Sequence, residues 1–210
     1  TIAVLLCSIS ANAHKFEVDG IYYNITSEEG LTVAVTFIGE TSSEFSDEYT
    51  GSVSIPEKVT HNSIIYNVTS IGDKAFYDCS SLTSVTIPNS VTSIGSYAFS
   101  FCVSLTSVTI GNSVTSIGRS AFYNCSGLTS VTIPNSVTSI GNSAFQSCSG
   151  LTSVTIPNSV TSIGREAFFN CSGLTSVTIG DGVKSIGDGA FSNCSGLTEI
   201  EIPNNVENLG

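Results

Sequence analysis

The residues able to do chemistry are few, and most of them fall on one step. Cysteines stand at Cys79, Cys102, Cys125, Cys148, Cys171 and Cys194, a constant step of 23, with one more, Cys7, near the start. In an exported chain such a set ordinarily reads as a disulfide framework. The constant step argues otherwise. Each cysteine occupies the same place in a repeating coil, so the six should stack as a column of small apolar side chains about 4.8 Å apart. Neighbours at that distance are close enough to pair, but pairing breaks an otherwise uniform ladder. Free, buried thiols are expected, and buried thiols are poor nucleophiles. Zinc is not expected either, because it wants close pairs converging tetrahedrally.

The other candidates are as sparse. His14 and His61 are the two histidines, and no motif joins either to a serine or cysteine nucleophile, so both are expected at the surface. The recurring S-G-L and S-I-G triplets follow the repeat and do not make the G-x-S-x-G elbow. Polysaccharide-degrading solenoids gather acids on one sheet face. Here that face carries Ser84/Thr86, Ser107/Thr109, Ser130/Thr132, Ser153/Thr155 and Ser176/Thr178, and only the last full unit offers an acidic pair, Glu199 and Glu201. Two carboxylates at i and i+2 on a strand are an acid/base arrangement, yet charge that blunts the end of a sheet explains them better. Glu44, Asp47 and Glu48 invite a calcium reading but lack the ligand spacing of a calcium loop. The sequence thus reads as non-enzymatic, with no cofactor and no metal.

Charge excludes further classes. The 210 residues carry a formal charge of −11 with only six lysines and arginines. Such a chain is not built to neutralise phosphates, so no nucleic-acid partner is expected, and an anionic membrane surface repels it. Charged residues are 11% of the chain and serine plus threonine number 60. Low charge does not mean disorder here, because the 40% of hydrophobic residues recur at fixed spacing.

The elements that position these residues form a repeat. Six full units of equal length cover 68–90, 91–113, 114–136, 137–159, 160–182 and 183–205, and 206–210 begin a seventh. Their consensus is V-T-S-I-G-x-x-A-F-x-x-C-S-x-L-T-S-V-T-I-P-N-S. Leu82, Val85 and Ile87 make an L-x-x-V-x-I pattern in which Val85 and Ile87 alternate with Ser84 and Thr86, which predicts a strand with one buried face. Pro88-Asn89 ends it in a turn. Val91 and Ile94 point a second short segment inward, and Gly95 permits a close approach. Ala98, Phe99 and Cys102, spaced by three and four, predict a single helical turn against the core. No unit buries its apolar face alone, so the strands should stack into one parallel sheet and the phenylalanines into a column.

The motif I-G-x-x-A-F-x-x-C-x-x-L-x-x-V-x-I-P-x-S-V resembles the leucine-rich repeat of the bacterial surface antigen A-like (BspA-like) family, and covers 68–210, about two-thirds of the chain. The resemblance implies a leucine-rich repeat solenoid: right-handed, mostly β, with the parallel sheet on the concave face and short helical turns opposite. It also implies secretion or display at the cell surface (extracellular), with roles in adhesion and host-protein binding and no enzymatic activity in the repeats.

Residues 1–13, an apolar run ending Ala11-Asn12-Ala13, read as a signal peptide missing its first few residues and cleaved after Ala13. Once it is removed, no membrane insertion is expected. Residues 14–67 read as a β-rich N-terminal cap with a hairpin at Asp19-Gly20, a strand over 31–38 and an inserted hairpin at His61-Asn62-Ser63.

Two surfaces are candidates for a partner. One is the hydroxyl-rich sheet face. The other is the two residues after I-G and the two after A-F, where otherwise copied units differ. These positions collect Tyr77, Tyr97, Phe101, Arg119, Tyr123, Arg165 and Phe169, residue types enriched at interface hot spots, and are expected to be largely exposed. The bland alternative is that the rings cover the helical turn. The function expected is protein–protein interaction or adhesion to a protein or glycoprotein partner, of host or matrix origin. A structural spacer or surface-layer element is the alternative, and an ice-surface binder a more distant one.

Overall fold

The computed structural model describes residues 16–37 and 48–210. The signal-peptide reading, His14, Glu44 and Asp47 lie outside the described residues.

The first described residues form short strands joined by turns that the sequence encodes. Strands β1 (Phe16–Val18) and β2 (Ile21–Ser27) pair antiparallel. Between them Asp19 and Gly20 both take left-handed φ, 51° and 76°, the geometry for which Asp-Gly hairpins are selected. Strand β3 (Thr32–Thr36) pairs antiparallel with β2. Strand β4 (Gly51–Ser54) copies the end of a repeat strand, with Val53 in register beside Val85. Strands β5 (Lys58–His61) and β6 (Ile64–Ile71) form the inserted hairpin. Asn62 and Ser63 supply its left-handed turn residues, at 50° and 64°. Strand β6 is the junction. It pairs parallel with β3 on one side and with Ser93–Ile94 on the other.

From there the chain is a parallel solenoid. The L-T-S-V-T segments stack in register, Val85 beside Val108 and Val108 beside Val131, with serine beside serine. The expected single sheet is in fact two. The S-I-G segments form a second parallel ladder, from Ser93–Ile94 through Ser116–Ile117 to Asn208–Leu209. The glycines permit this. A Cβ on Gly118 would lie 2.7 Å from the carbonyl carbon of Gly95, one coil earlier, so only glycine lets the backbones approach this closely.

The expected helical turns are absent; the described residues contain no helix. Over 72–79 the amides alternate. Ala75, Tyr77 and Cys79 donate to the carbonyls of Gly72, Lys74 and Phe76, three residues back, whereas Lys74, Phe76 and Asp78 donate to Ser96, Ala98 and Ser100 of the next coil. An α-turn closes its bonds four residues back and within itself. Here every second amide is turned outward along the solenoid axis instead. Left-handed φ at Lys74 (58°) and Asp78 (57°) produces the alternation.

The core is a stack of rings. Phe99 and Phe122 lie 5.1 Å apart with planes 3° from parallel, and the series runs from Phe76 to Phe191 at 4.8 to 5.3 Å. Near-parallel rings at such distances are offset stacks, the arrangement aromatic quadrupoles favour. Beside this column run the six cysteines, all buried and none of them in a disulfide. Each of the last five turns its thiol to the carbonyl of the preceding coil's phenylalanine: Cys102 to Phe76 and Cys125 to Phe99 at 3.0 Å, then Cys148, Cys171 and Cys194 to Phe122, Phe145 and Phe168 at 3.1 Å. Cysteine thus supplies a small apolar volume and a weak donor that ties coil to coil.

Candidate interaction surface

The alternating turns carry the variable residues. In every full coil the second residue of each variable pair has left-handed φ. At the first such position stand Lys74, Tyr97, Ser120, Ser143, Glu166 and Gly189; at the second, Asp78, Phe101, Asn124, Ser147, Asn170 and Asn193. Asparagine, aspartate and glycine suit this region, whereas a bulky side chain there is an outlier that costs about 1–2 kcal/mol. Tyr97 (58°) and Phe101 (65°) are the two aromatic outliers, and both belong to the second coil.

Backbone bonds between coils bring several of the variable side chains together. Phe101 donates its amide to the Tyr123 carbonyl and Tyr97 donates its amide to the Arg119 carbonyl, each at 2.8 Å. The side chains follow. Phe101 meets Tyr77 edge-on at 5.5 Å and Tyr123 edge-on at 5.2 Å, a row of three rings across three coils. The Arg119 guanidinium lies over the Tyr97 ring at 5.8 Å, and the Lys74 ammonium over Tyr77 at the same distance. Burial, with Asp78 nearby, holds the Tyr77 hydroxyl above its ordinary titration range, so it stays a donor.

The expected exposure holds for Arg119 and Arg165 only; Tyr77, Tyr97, Phe101, Tyr123 and Phe169 are half-buried. Rings on this ridge pack on their neighbours as well as facing solvent. Arg165 lies two coils beyond Arg119 and pairs with Glu166 at 3.0 Å. Phe169 joins none of the ring contacts among the described residues. The structure therefore assembles Tyr77, Tyr97, Phe101, Arg119 and Tyr123 and leaves Arg165 and Phe169 apart. Sequence reasoning overlooked Lys74 as a member of the cluster. Its signal was the Lys-x-x-Tyr spacing in the first unit, which repeats no consensus residue.

The hydroxyl sheet is arranged differently. Thr106, Thr129, Thr152 and Thr175 each turn the side-chain hydroxyl to the carbonyl of the equivalent threonine one coil earlier, at 3.1 to 3.4 Å. Ser107, Ser130, Ser153 and Ser176 with Thr109, Thr132, Thr155 and Thr178 stay exposed, and a shallow groove of about 620 Å³ runs over part of them. The sheet's last strand is Ser176–Ile179. The chain carrying Glu199 and Glu201 pairs with no strand, and Val177 is half-buried where Val85 and Val154 are buried. His61 stacks its ring on Phe16 at 4.1 Å and 9°. Among the described residues no helix is long and apolar enough to cross a membrane.

Comparison with known proteins gives this geometry its relatives. Residues 41–173 and 115–210 match the BspA type leucine rich repeat region, in six copies. A leucine-rich repeat protein from Treponema pallidum is similar over 93% of this chain and 86% of its own, at 30% identity and a TM-score of 0.79. A leucine-rich cell surface protein from Faecalibacterium prausnitzii is 39% identical over 93% of this chain, with a TM-score of 0.75. A leucine-rich repeat protein from Bacteroides ovatus is 35% identical over 94%, at 0.74. The matches span 50% of the Faecalibacterium protein and 55% of the Bacteroides protein. No curated protein matches the sequence.

Proposed function

The chain belongs to the BspA-type leucine-rich repeat family, and from that premise we propose that it is an extracellular interaction module, secreted or held at the cell surface, that binds a protein or glycoprotein through its variable ridge. The observation that carries this reading is the clustering of Tyr77, Tyr97, Phe101, Arg119 and Tyr123 on adjacent coils. Tyrosine, phenylalanine and arginine at neighbouring positions make the anchor type on which interfaces concentrate their energy. A spacer has no use for them, and the equivalent sites in the fourth coil are Asn142-Ser143 and Gln146-Ser147. Export is supported by the sequence of residues 1–13 and by the similar protein described as a cell surface protein. Residues 14–67 act in this reading as a cap on the first coil, covering a sheet edge that would otherwise recruit other strands.

Solid-phase binding to immobilised extracellular-matrix and plasma proteins tests the function. Saturable binding by the parent, lost when Tyr77, Tyr97, Phe101, Tyr123 and Phe169 are changed to serine in a variant that still folds, is the expected result. Absence of saturable binding to the whole set would leave the spacer reading in its place.

A further inference from the structure

The interaction reading says where a partner docks. The geometry of the second and third coils also says what that partner's chemistry is, an assignment that rests on the interaction reading.

Tyr97 and Phe101 hold aromatic rings on a backbone conformation that resists them. No other full coil carries an aromatic residue at either position: Lys, Ser, Ser, Glu and Gly stand at the first, and Asp, Asn, Ser, Asn and Asn at the second. The aromatic pair is therefore not required by the coil. What the Tyr97 conformation does is place the ring beneath Arg119.

Arg119 is the arginine left open. Arg165 is engaged by Glu166 at 3.0 Å and Lys184 by Glu207 at 3.7 Å, whereas Arg119 is exposed and meets no carboxylate among the described residues. Its guanidinium is held by the ring, with its N–H donors still to be used. A planar fork of donors matches a carboxylate, which accepts two parallel bonds. Beside it, the edge-to-face row of Tyr77, Phe101 and Tyr123 offers a half-buried apolar strip.

Charge narrows where such a ligand can dock. The chain as a whole is at −11, and the variable positions carry Asp73, Asp78, Glu166 and Asp188 beside Lys74, Arg119 and Arg165. Arg119, which meets no carboxylate among the described residues, is therefore the point to which a carboxylate is drawn, which favours one docking mode over others.

We propose that the ridge formed by Arg119 over Tyr97, with the adjoining Tyr77–Phe101–Tyr123 row, docks an acidic peptide segment of a partner protein. A carboxylate sits on the Arg119 fork and an adjacent aliphatic or aromatic side chain lies on the ring row.

The test uses the full chain and three short fluorescein-labelled peptides, of alternating aspartate and leucine, of asparagine and leucine, and of lysine and leucine, read by fluorescence anisotropy. The aspartate peptide should bind saturably, the other two should not, and added salt should weaken binding. Arg119→Gln, at an exposed position, should leave folding intact and weaken binding about tenfold or more. The double variant Tyr97→Asn and Phe101→Asn should lose binding while its urea midpoint stays at or above the parent's, because asparagine relieves the left-handed strain. A midpoint well below the parent's would make the rings a structural cover and overturn the proposal. Equal binding of the lysine peptide, or full binding by Arg119→Gln, would overturn it too. A parent that holds matrix proteins but ignores the aspartate peptide overturns the acidic-peptide assignment and leaves the interaction reading standing. A parent that holds neither overturns both.

Discussion

Tyr49 meets Phe76 ring to ring at 4.5 Å, and its hydroxyl, which donates to the Thr36 carbonyl at 2.7 Å and accepts from the Tyr22 amide at 3.1 Å, ties the first phenylalanine of the column to β2 and β3. One side chain thus links the repeat core to the strands before it. Tyr49→Phe keeps the ring contact and removes both hydrogen bonds. It should cost about 1–3 kcal/mol, the range for leaving buried polar partners unmatched, and urea unfolding followed by circular dichroism measures it. No loss of stability would mean that the hydroxyl is not a tie.

The phenylalanine column predicts a second result. Phe122 is fully buried between Phe99 and Phe145. Phe122→Asp places a charge in that column and should cut the stack in two, because each coil is stabilised mainly by its neighbours. Phe122→Leu should instead lower the urea midpoint modestly. A Phe122→Asp protein that unfolds no more easily than the parent would disprove the core assignment.

The glycine column predicts a contrast. At Gly118 an added Cβ meets backbone at 2.7 Å, and backbone does not give way. Gly118→Ala should cost about 1–3 kcal/mol by overpacking. At Gly20 nothing lies within 4 Å, and only its φ of 76° penalises a side chain. Gly20→Ala should therefore cost about 1–2 kcal/mol. Comparing the two urea midpoints checks whether the second ladder depends on close approach.

Alkaline pH should weaken the fold. Burial pushes the Cys125 thiol well above its ordinary value of 9.0 and the Tyr49 hydroxyl above its ordinary 10.0. For both groups the folded state holds its proton where the unfolded chain has lost it. Stability is then fully present below the unfolded values and falls as pH rises through and beyond them. The urea midpoint should be flat from pH 7 to about 8 and decline above about 9. The same burial predicts that Cys79, Cys102, Cys125, Cys148 and Cys171 react with Ellman's reagent only at the rate of unfolding. Immediate reaction of these five thiols in native protein lacking residues 1–13, at about pH 8, would contradict the buried column.

Some of the surface was legible from the letters and some was not. Side chains that vary between copied units are visible at once, which marks out Tyr97, Phe101 and Arg119. That Arg119 lies over Tyr97, and that Arg165 is taken by Glu166, is not visible, because the first contact crosses from one coil to the next and the second depends on a rotamer. The helical reading of Ala98, Phe99 and Cys102 failed for a related reason. Spacings of three and four record which side chains face the core, and a run of alternating turns puts them there as well as a helix does.

The sequence by itself determined the period, the buried face and the columns of Phe, Cys and Gly, because identical units stacked in register bring identical side chains to the same place. Only the tertiary structure decided where each amide donates and which sign of φ each residue takes. Those choices are made between one coil and the next, a full repeat away along the chain, where a neighbour's carbonyl outweighs local preference. Tyr97 and Phe101 therefore carry a conformation that their own side chains disfavour.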